Sequence, residues 1–415
     1  MAELLFYVIV AIIVFNFILE LVLDYLNQKN WSDELPAELK GFYNEDKYKK
    51  SQQYFRAKQR FSILTGSLSF IAMILMLILG GFAWLDDFVR QYTSNPILMA
   101  LLFFGILAFA ADLLSTPFSA WYTFVVEERF GFNKTSVKTF VSDKLKGWLL
   151  GAIIGGGLLA LIIWIWQSTG QWFWLVAWGA ISLFMILMFV FYSNLIVPLF
   201  NKQRPLEEGE LRNMIEELAG QLGFGLKNIY VMDGSKRSTK ANAYFTGLGP
   251  KKRIVLFDTL INNHTNEEIV AVLAHEIGHF KKKHTTLALI LSMLQTGVML
   301  YILSVFIDQP VLSKALGAEQ SSFHMGVLAF GLLYSPLSMI LGLISNYISR
   351  KNEYAADRFA GKNYRADKLR LALKKLSVDN LSNLRPHPCY VFFYYSHPPL
   401  LKRLAALRSL EKSKT

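Results

Sequence analysis

Long apolar runs separated by short polar connections make up most of this 415-residue chain. A membrane core about 30 Å thick is crossed by an α-helix of about 20 apolar residues, because each residue adds about 1.5 Å. The pattern therefore predicts a predominantly α-helical membrane protein. Seven runs are long enough to be transmembrane helices, near residues 3–26, 61–85, 96–116, 147–167, 172–198, 285–307 and 322–347.

The stretch between the fifth and sixth runs has a different pattern. Apolar residues keep helical spacing over 207–222, and three short strand-like runs follow at 228–233, 241–248 and 252–258. We therefore expect a small α+β unit here. The predicted domains are residues 1–198 with five spans, 199–284 with the α+β unit, 285–347 with two spans, and 348–415 as a C-terminal helical segment.

Residues 265–284 predict the best-defined helix of the α+β unit. Thr265 is followed three residues later by Glu268, which is the spacing of a capping box at a helix start. The apolar residues that follow keep helical spacing. We expect one helix that continues without a break into the sixth span.

This helix carries the sequence HEIGH, in which His275 and His279 lie four residues apart and hence on one face. Two imidazoles at this spacing can bind one zinc ion, and Glu276 between them can take a proton from water. The pattern predicts a zinc-dependent hydrolase centre. Because the helix leads into a span, the centre would meet peptide or protein substrates at the membrane.

The distribution of Lys and Arg indicates the orientation of the spans. The chain has a net charge of +12 and 53% hydrophobic residues, and its basic residues are concentrated in alternate connections. The positive-inside rule then places the first, third and fifth connections and the C-terminus in the cytoplasm, with the N-terminus outside. We assign the charge to this topology, so membrane lipid is an expected partner and nucleic acid is not.

Few other residues suggest chemistry. The single cysteine, Cys389, excludes an intramolecular disulfide and a Cys-rich metal site. Asp112, within the third span, is expected to face a partner or a water-filled cavity. Glu20 and Asp24, near the end of the first span, fit a cavity or the membrane interface equally well.

A carboxylate after the seventh span is the best candidate for a third zinc ligand. Glu353 and Asp357 are four residues apart, so they share a helical face. A solvated charged face would show the same spacing. A zinc site with two histidines and one glutamate needs such a carboxylate from a second helix, and the segment after the span would have to fold back over the HEIGH helix. Residues 348–415 would then complete the active site.

The other histidines are less suitable ligands. His284 would lie about 140° further round a continuous helix than His279. His397 stays possible, and it or Cys389 could close a purely structural zinc site. Three further histidines are poorly placed. His264 lies before the helix cap, His324 at the outer end of a span, and His387 in a proline-flanked turn.

Beyond HEIGH, several segments together resemble the Ste24 family of integral-membrane zinc CAAX proteases, over nearly the whole chain. They are VVEERFGFNKTS (125–136), SNLIVPLFNKQRPLE (193–207), KRSTKANAYFTGL (236–248), EYAAD (353–357) and SHPPLLKRL (396–404). The resemblance implies seven transmembrane helices enclosing a hydrated chamber, with a cytoplasmic zincin-like domain of the gluzincin type.

The resemblance also implies roles for individual residues. The ligands of one zinc ion would be His275, His279 and Glu353, with Glu276 as general base. Asp357 would brace a ligand histidine. Substrate backbone would be held at Asn242, Ala243 and Tyr244, and His397 with Arg403 would contact the reacting carbonyl or the substrate.

Members of this family remove the last three residues of prenylated CAAX proteins, so the resemblance implies an endopeptidase for prenylated or other membrane-associated substrates. A broad quality-control protease of the HtpX type is the alternative within enzymes. A seven-helix transporter or channel with structural zinc is the alternative from another class. The end of the chain, EKSKT, has no dilysine signal, which favours a bacterial inner membrane over the endoplasmic reticulum.

Overall fold

The computed structural model describes residues 1–32, 34–225, 229–246 and 253–412 and is mostly helical. Within these residues, six helical segments are long and apolar enough to cross a membrane. This agrees with a multi-pass helical membrane protein, but the number differs from the seven spans predicted. The six segments are Ala2–Lys29, Glu45–Ile78, Pro96–Glu127, Val137–Phe200, His284–Phe306 and Phe323–Asn363.

The difference in number comes from Val137–Phe200, which is 64 residues long. A straight helix of that length would measure about 96 Å, several times the membrane core. The chain turns at Gly170, whose φ of 51° is open to glycine at little cost, and the helices on either side pack against each other. The segment thus holds both runs predicted at 147–167 and 172–198, and the count of seven stays a prediction.

Two π-helical stretches, Tyr122–Glu127 and Gly151–Gly156, extend the helices of the membrane part. The predicted span at 61–85 is wrong at its end, because the helix stops at Ile78 and a separate amphipathic helix buries Phe82, Leu85 and Val89. The helices are α1 (Ala2–Lys29), α2 (Glu45–Ile78), α3 (Gly81–Arg90), α4 (Pro96–Trp121), α5 (Val137–Leu150), α6 (Gly157–Thr169), α7 (Phe173–Leu195) and α8 (Val197–Phe200).

The second half of the chain contains the α+β unit, two further apolar helices and the C-terminal helices. Its helices are α9 (Glu210–Gln221), α10 (Asp258–Asn263), α11 (Asn266–Lys281), α12 (His284–Phe306), α13 (Pro310–Ala315), α14 (Phe323–Asn363), α15 (Ala366–Asp379), α16 (Pro388–Tyr394) and α17 (Leu400–Lys412).

Among the described residues, the sheet of the α+β unit has four strands in the order β1-β2-β4-β3. They are β1 (Gln203–Pro205), β2 (Ile229–Met232), β3 (Ala243–Thr246) and β4 (Arg253–Phe257). β1 was not among the three predicted strands, because a run of three residues that ends in proline is too short to predict a strand. β3 pairs antiparallel with β4 and forms one edge of the sheet. Residues 228, 247, 248 and 252 of the predicted strands lie outside the described ranges.

The HEIGH helix α11 begins as predicted. Thr265 accepts a hydrogen bond from the backbone N–H of Glu268, and the Glu268 side chain accepts one from the backbone of Thr265. The predicted continuation into the sixth span is wrong, because α11 ends at Lys281 and Lys283 adopts a left-handed backbone with φ 58°. α12 then starts at His284 in a new direction.

One hydrophobic core joins α9, the sheet, α11, α15 and the ends of α14 and α17. Within this core α11 and α14 pack tightly, since a Cβ built on Gly278 would lie 3.1 Å from Phe359 and 3.3 Å from the backbone of Ala356. The glycine of HEIGH therefore lets two helices approach closely. Glu353 arrives on this continuous extension of α14, and the predicted folding back of the segment after the seventh span is wrong.

Candidate active site

Three side chains from two helices meet where α11 crosses α14. The ligand atoms of His275, His279 and Glu353 all lie within 4.8 Å of one another. The Nε2 atom of His279 is 3.1 Å from Glu353 Oε1 and 3.1 Å from the Nε2 atom of His275. Helical spacing of four residues aligns the two imidazoles, and the long helix α14 brings the carboxylate to them.

The donor set at this point fits a metal ion. Glu353 is buried, and its Oε2 atom accepts no hydrogen bond although a guanidinium nitrogen of Arg403 lies 3.2 Å away. A buried carboxylate oxygen without a hydrogen bond is costly in a protein interior unless another partner satisfies it. Two imidazoles and one carboxylate match the ligands of zinc sites that keep a fourth position for water or substrate.

Asp357 lies one helical turn beyond Glu353 and faces the opposite side of His275. Its Oδ1 atom is 2.9 Å from the Nδ1 atom of His275. Arg403, from α17, donates to both carboxylate oxygens of Asp357 at 2.6 and 2.8 Å. The guanidinium of Arg403 is thus engaged by the two carboxylates of α14, and it holds the Asp357 carboxylate in a fixed orientation.

Glu276, the residue between the two histidines, lines the same cavity as His275 and Glu353. Burial raises the pKa of its carboxyl group, because the charged form loses hydration, while the neighbouring histidines oppose the shift. A carboxylate with a raised pKa is a better proton acceptor than one in water. The position and the environment of Glu276 both suit a general base.

His397 approaches the cluster from the C-terminal segment and is the most exposed of these residues. Its Nε2 atom lies 3.3 Å from Glu353 Oε1, and its side chain is 63% exposed. The neighbouring Ser396 hydroxyl lies 2.9 Å from the other ring nitrogen. An exposed imidazole at the mouth of the cavity is free to meet a substrate.

A cavity of about 200 Å³ connects the cluster with the edge strand. It is lined by His275, Glu276 and Glu353 on one side and by Asn242 and Ala243 on the other. Asn242 precedes β3, and its side-chain oxygen accepts the backbone N–H of Ala243 at 2.8 Å. Tyr244 is not among the residues lining this cavity, although the sequence analysis grouped it with them.

Two features of the site were not predicted from the sequence. Leu369, Leu373 and Leu376 of α15 form the apolar wall of the cavity, which the amphipathic spacing of that helix could have indicated. The expected orientation of His284 was wrong, because the break after α11 brings its Nδ1 atom to 3.1 Å from the Nδ1 atom of His279.

Asp112 has partners, as expected for an ionisable residue within a span. It lies 2.6 Å from Lys144 and accepts a hydrogen bond from Trp148 at 2.9 Å. All three line a separate cavity of about 1370 Å³ between α4, α5 and α6. This cavity is not lined by His275, His279 or Glu353, which together we call the metal-type cluster.

The chain matches two protein-family models that together cover most of its length. Residues 24–202 match the model described as CAAX prenyl protease N-terminal, five membrane helices. Residues 205–411 match the model of peptidase family M48. The second match includes HEIGH, Glu353, Asp357, His397 and Arg403.

Individual relatives extend over nearly the whole chain. A CAAX prenyl protease 1 homolog of Arabidopsis thaliana is 37% identical over 390 residues, which are 91% of each chain. The CAAX prenyl protease 1 of Saccharomyces cerevisiae is 35% identical over 93% of this chain and 91% of its own. The crystal structure of S. mikatae Ste24p superposes with a TM-score of 0.92 at 34% identity, covering 97% of this chain and 99% of that one.

These matches confirm the expected family and the membrane-protease fold, and they lend no support to a transporter, a channel or a quality-control protease of another type. The protein is an integral, multi-pass membrane enzyme that acts on peptide bonds. The chain belongs to the CAAX prenyl proteases of peptidase family M48 and is a zinc metalloprotease.

Proposed function

We propose that this protein is an endopeptidase that cuts near the C-terminus of prenylated CAAX-type proteins, or of other membrane-associated substrates. The observation that carries the proposal is one cavity, which is lined by His275, Glu276 and Glu353 and also by Asn242 and Ala243 at the start of the edge strand β3. The names of the relatives support the CAAX-type substrate. A protease anchored by apolar helices suits a substrate that is itself held at a membrane.

We assign one zinc ion to His275, His279 and Glu353. When bound there, zinc supplies Lewis-acid polarisation of a carbonyl and lowers the pKa of water. The mutual distances of the three side chains support this assignment, and so does the Oε2 atom of Glu353, which is buried and accepts no hydrogen bond. Asp357 would hold His275 in position from behind, as partners of metal-binding histidines usually do.

Glu276 acts as the general base in this scheme. It accepts a proton from the attacking water and returns it to the amine that leaves when the peptide bond breaks. His397 donates a hydrogen bond to the reacting carbonyl oxygen as negative charge develops there. Its exposure at the mouth of the cavity supports such a contact, whereas the pairing of Arg403 with Asp357 supports a positioning role for that arginine beside any substrate contact.

The peptide would bind as an added strand along β3. An edge strand offers unpaired backbone groups, and an extended peptide can satisfy them while one of its carbonyls reaches the catalytic cavity. The location of Asn242 and Ala243 in the cavity wall supports this register. Tyr244 would contact the peptide further along the strand.

The catalytic cavity faces the cytoplasm in our proposal, with Met1 on the outer side and the C-terminus inside. Basic residues concentrated in alternate connections support this orientation. We retain the four predicted domains, with residues 348–415 completing the site of the α+β unit. Glu353, Asp357, His397 and Arg403 all come from that last segment.

The proposal is tested with purified protein in liposomes and a fluorogenic peptide that ends in a farnesylated CAAX sequence. We expect release of the last three residues, loss of activity with a chelator and recovery with zinc. Glu276→Gln should lower kcat by about 10²–10⁴-fold with zinc still bound, because only the general base is lost. Its full activity would contradict the mechanism, and equal cleavage of an unprenylated peptide would contradict the prenylated substrate class.

A further inference from the structure

We propose that His284, the first residue of α12, is the positioning residue for His279. Its Nδ1 atom accepts a hydrogen bond from the Nδ1–H group of His279, so that the Nε2 atom of His279 stays directed at His275 and Glu353. The inference rests on the proposed zinc site. His284 lies outside the HEIGH pattern and would be an additional residue of that site.

The two nitrogens of His279 have different partners. Nε2 faces Glu353 and His275 at 3.1 Å each, whereas Nδ1 faces His284 Nδ1 at 3.1 Å. A neutral imidazole carries one proton, and the nitrogen that binds a metal must offer its lone pair. If Nε2 is the ligand atom, the proton of His279 is on Nδ1. His284 must then present an unprotonated Nδ1 as acceptor.

The arrangement around His279 parallels the one around His275. Behind His275, Asp357 Oδ1 lies 2.9 Å from Nδ1. Behind His279, the corresponding place is taken by His284, which is 9% exposed. Histidines that bind metals almost always donate their other N–H to such a partner, which fixes the orientation of the ring. The structure thus supplies one partner for each histidine, a carboxylate for the first and an imidazole for the second.

His284 is not placed as a fourth ligand. Its Nδ1 atom lies against the Nδ1 atom of His279, on the far side of that ring from Glu353. Among the described residues, the group able to share a metal comprises His275, His279 and Glu353. The ring planes of His279 and His284 meet at 76° with centroids 5.1 Å apart, a geometry compatible with an in-plane hydrogen bond from one ring to the other.

The break after α11 makes this contact possible. In a continuous helix, a residue five positions after His279 would point about 140° away from it. Here Lys282 and Lys283 close the end of α11 by hydrogen bonds to Gly278 and Phe280, and Lys283 takes a left-handed backbone. This conformation is unfavourable for a residue other than glycine. After this turn α12 starts at His284, and its side chain contacts His279. This contact joins an apolar spanning helix to the metal-type cluster.

The test compares His284→Leu, which removes the acceptor, with His284→Gln, which keeps an acceptor oxygen. We expect zinc affinity, measured by chelator competition on the full-length protein in detergent, to fall about 10–100-fold in His284→Leu and to change much less in His284→Gln. The absorption spectrum of the cobalt-loaded protein should shift in His284→Leu, because the ring of His279 is no longer held. His284→Ala carries the same expectation if the leucine variant does not fold.

His264→Leu is the matched control, because His264 is also buried in the α+β unit but contacts the backbone of Leu260. Its zinc affinity should equal that of the unaltered protein. Unchanged affinity and cobalt spectrum in folded His284→Leu or His284→Ala would overturn the inference. So would a His284→Gln variant as weak as His284→Leu, since packing alone would then explain the loss. An unaltered protein that binds no zinc would instead refute the proposed function.

Discussion

The carboxylate of Glu353 is the residue at which the contacts of the site converge. Its Oε1 atom lies 3.1 Å from His279 and 3.3 Å from His397, and its Oε2 atom lies 3.2 Å from Arg403. One side chain on α14 therefore touches the HEIGH helix and two parts of the C-terminal segment. Removing it would leave two imidazoles with no carboxylate between them.

We expect Glu353→Ala to lose zinc and peptidase activity together, because the proposed zinc site would lose its carboxylate ligand. Asp357→Ala should weaken zinc binding by a smaller factor, about 10–100-fold, because it only orients His275. Metal analysis of folded, purified protein measures both. Full zinc occupancy in Glu353→Ala would show that the ligand assignment is wrong.

His397→Ala provides the control for that experiment. The imidazole lies beside Glu353 but is 63% exposed, so its removal should leave zinc in place while kcat falls. Loss of zinc in this variant would mean that His397 is itself a ligand, an alternative that the sequence left open.

At the scale of elements, the edge strand β3 is tied to the membrane helices by the residues just before it. Lys240 lies 2.8 Å from Glu127 in the π-helical stretch after α4, and its ammonium also sits 4.3 Å from the centre of the Phe132 ring. Tyr54 of α2 donates to the same Glu127 carboxylate. These contacts join the segments VVEERFGFNKTS and KRSTKANAYFTGL, which the resemblance selected without giving a reason.

We expect Lys240→Met to lower kcat/KM by about 10-fold, which corresponds to about 1.4 kcal/mol, with zinc content unchanged. The loss should arise because β3 is held less firmly beside the catalytic cavity. Glu127→Gln should have a similar effect, and the double variant should be no worse than either single one, since both remove the same contact.

The exposed pair of Arg365 and Asp367 is a suitable comparison for that experiment. Surface ion pairs of this kind contribute little, so Arg365→Gln should leave kcat/KM unchanged. Strictly additive losses in the double variant of Lys240 and Glu127 would contradict a shared role for the two residues.

At the scale of the whole molecule, α1 connects the two ends of the protein. Ile9 near its start packs in a core with Leu85 of α3 and Leu312 of α13. Asn27 near its end accepts a hydrogen bond from the backbone of His387, beside the C-terminal helices. The 28 residues of α1 measure about 42 Å, enough to cross a membrane. The short helices α3 and α13 therefore lie at the opposite end from the catalytic cavity.

Single cysteines in a Cys389→Ser background test which end is cytoplasmic. Glu208 and Glu319 are suitable positions because both are exposed, one in the α+β unit and one beside α13. We expect an impermeant maleimide to label Glu319→Cys in intact cells and Glu208→Cys only after lysis. Labelling of Glu208→Cys from outside would reverse the orientation. The choice of a bacterial inner membrane stays a prediction.

The sequence by itself determined the elements whose signals are local. Apolar runs of membrane length, the capping pair Thr265 and Glu268, and the four-residue spacing of His275 and His279 all depend on residues within a few turns of one another. The HEIGH pattern also indicates the chemistry, because two histidines on one helical face with a glutamate between them are typical of a zinc-dependent hydrolase. The four-residue spacing of Glu353 and Asp357 made them candidates as well, and the family resemblance then implied their roles toward the two histidines, which lie 74 or more positions earlier in the chain.

Tertiary structure decided the features that no short pattern encodes. α11 ends at a left-handed residue that is a lysine, Lys283, and not the glycine that usually marks a helix end in a sequence. The break is therefore set by tertiary contacts, such as the packing of α12 on α7. The pairing of Arg403 with Asp357 and of Lys240 with Glu127 joins residues 46 and 113 positions apart. Only the folded chain brings such residues together, because contact across those separations depends on how whole helices pack and on no single residue's preference.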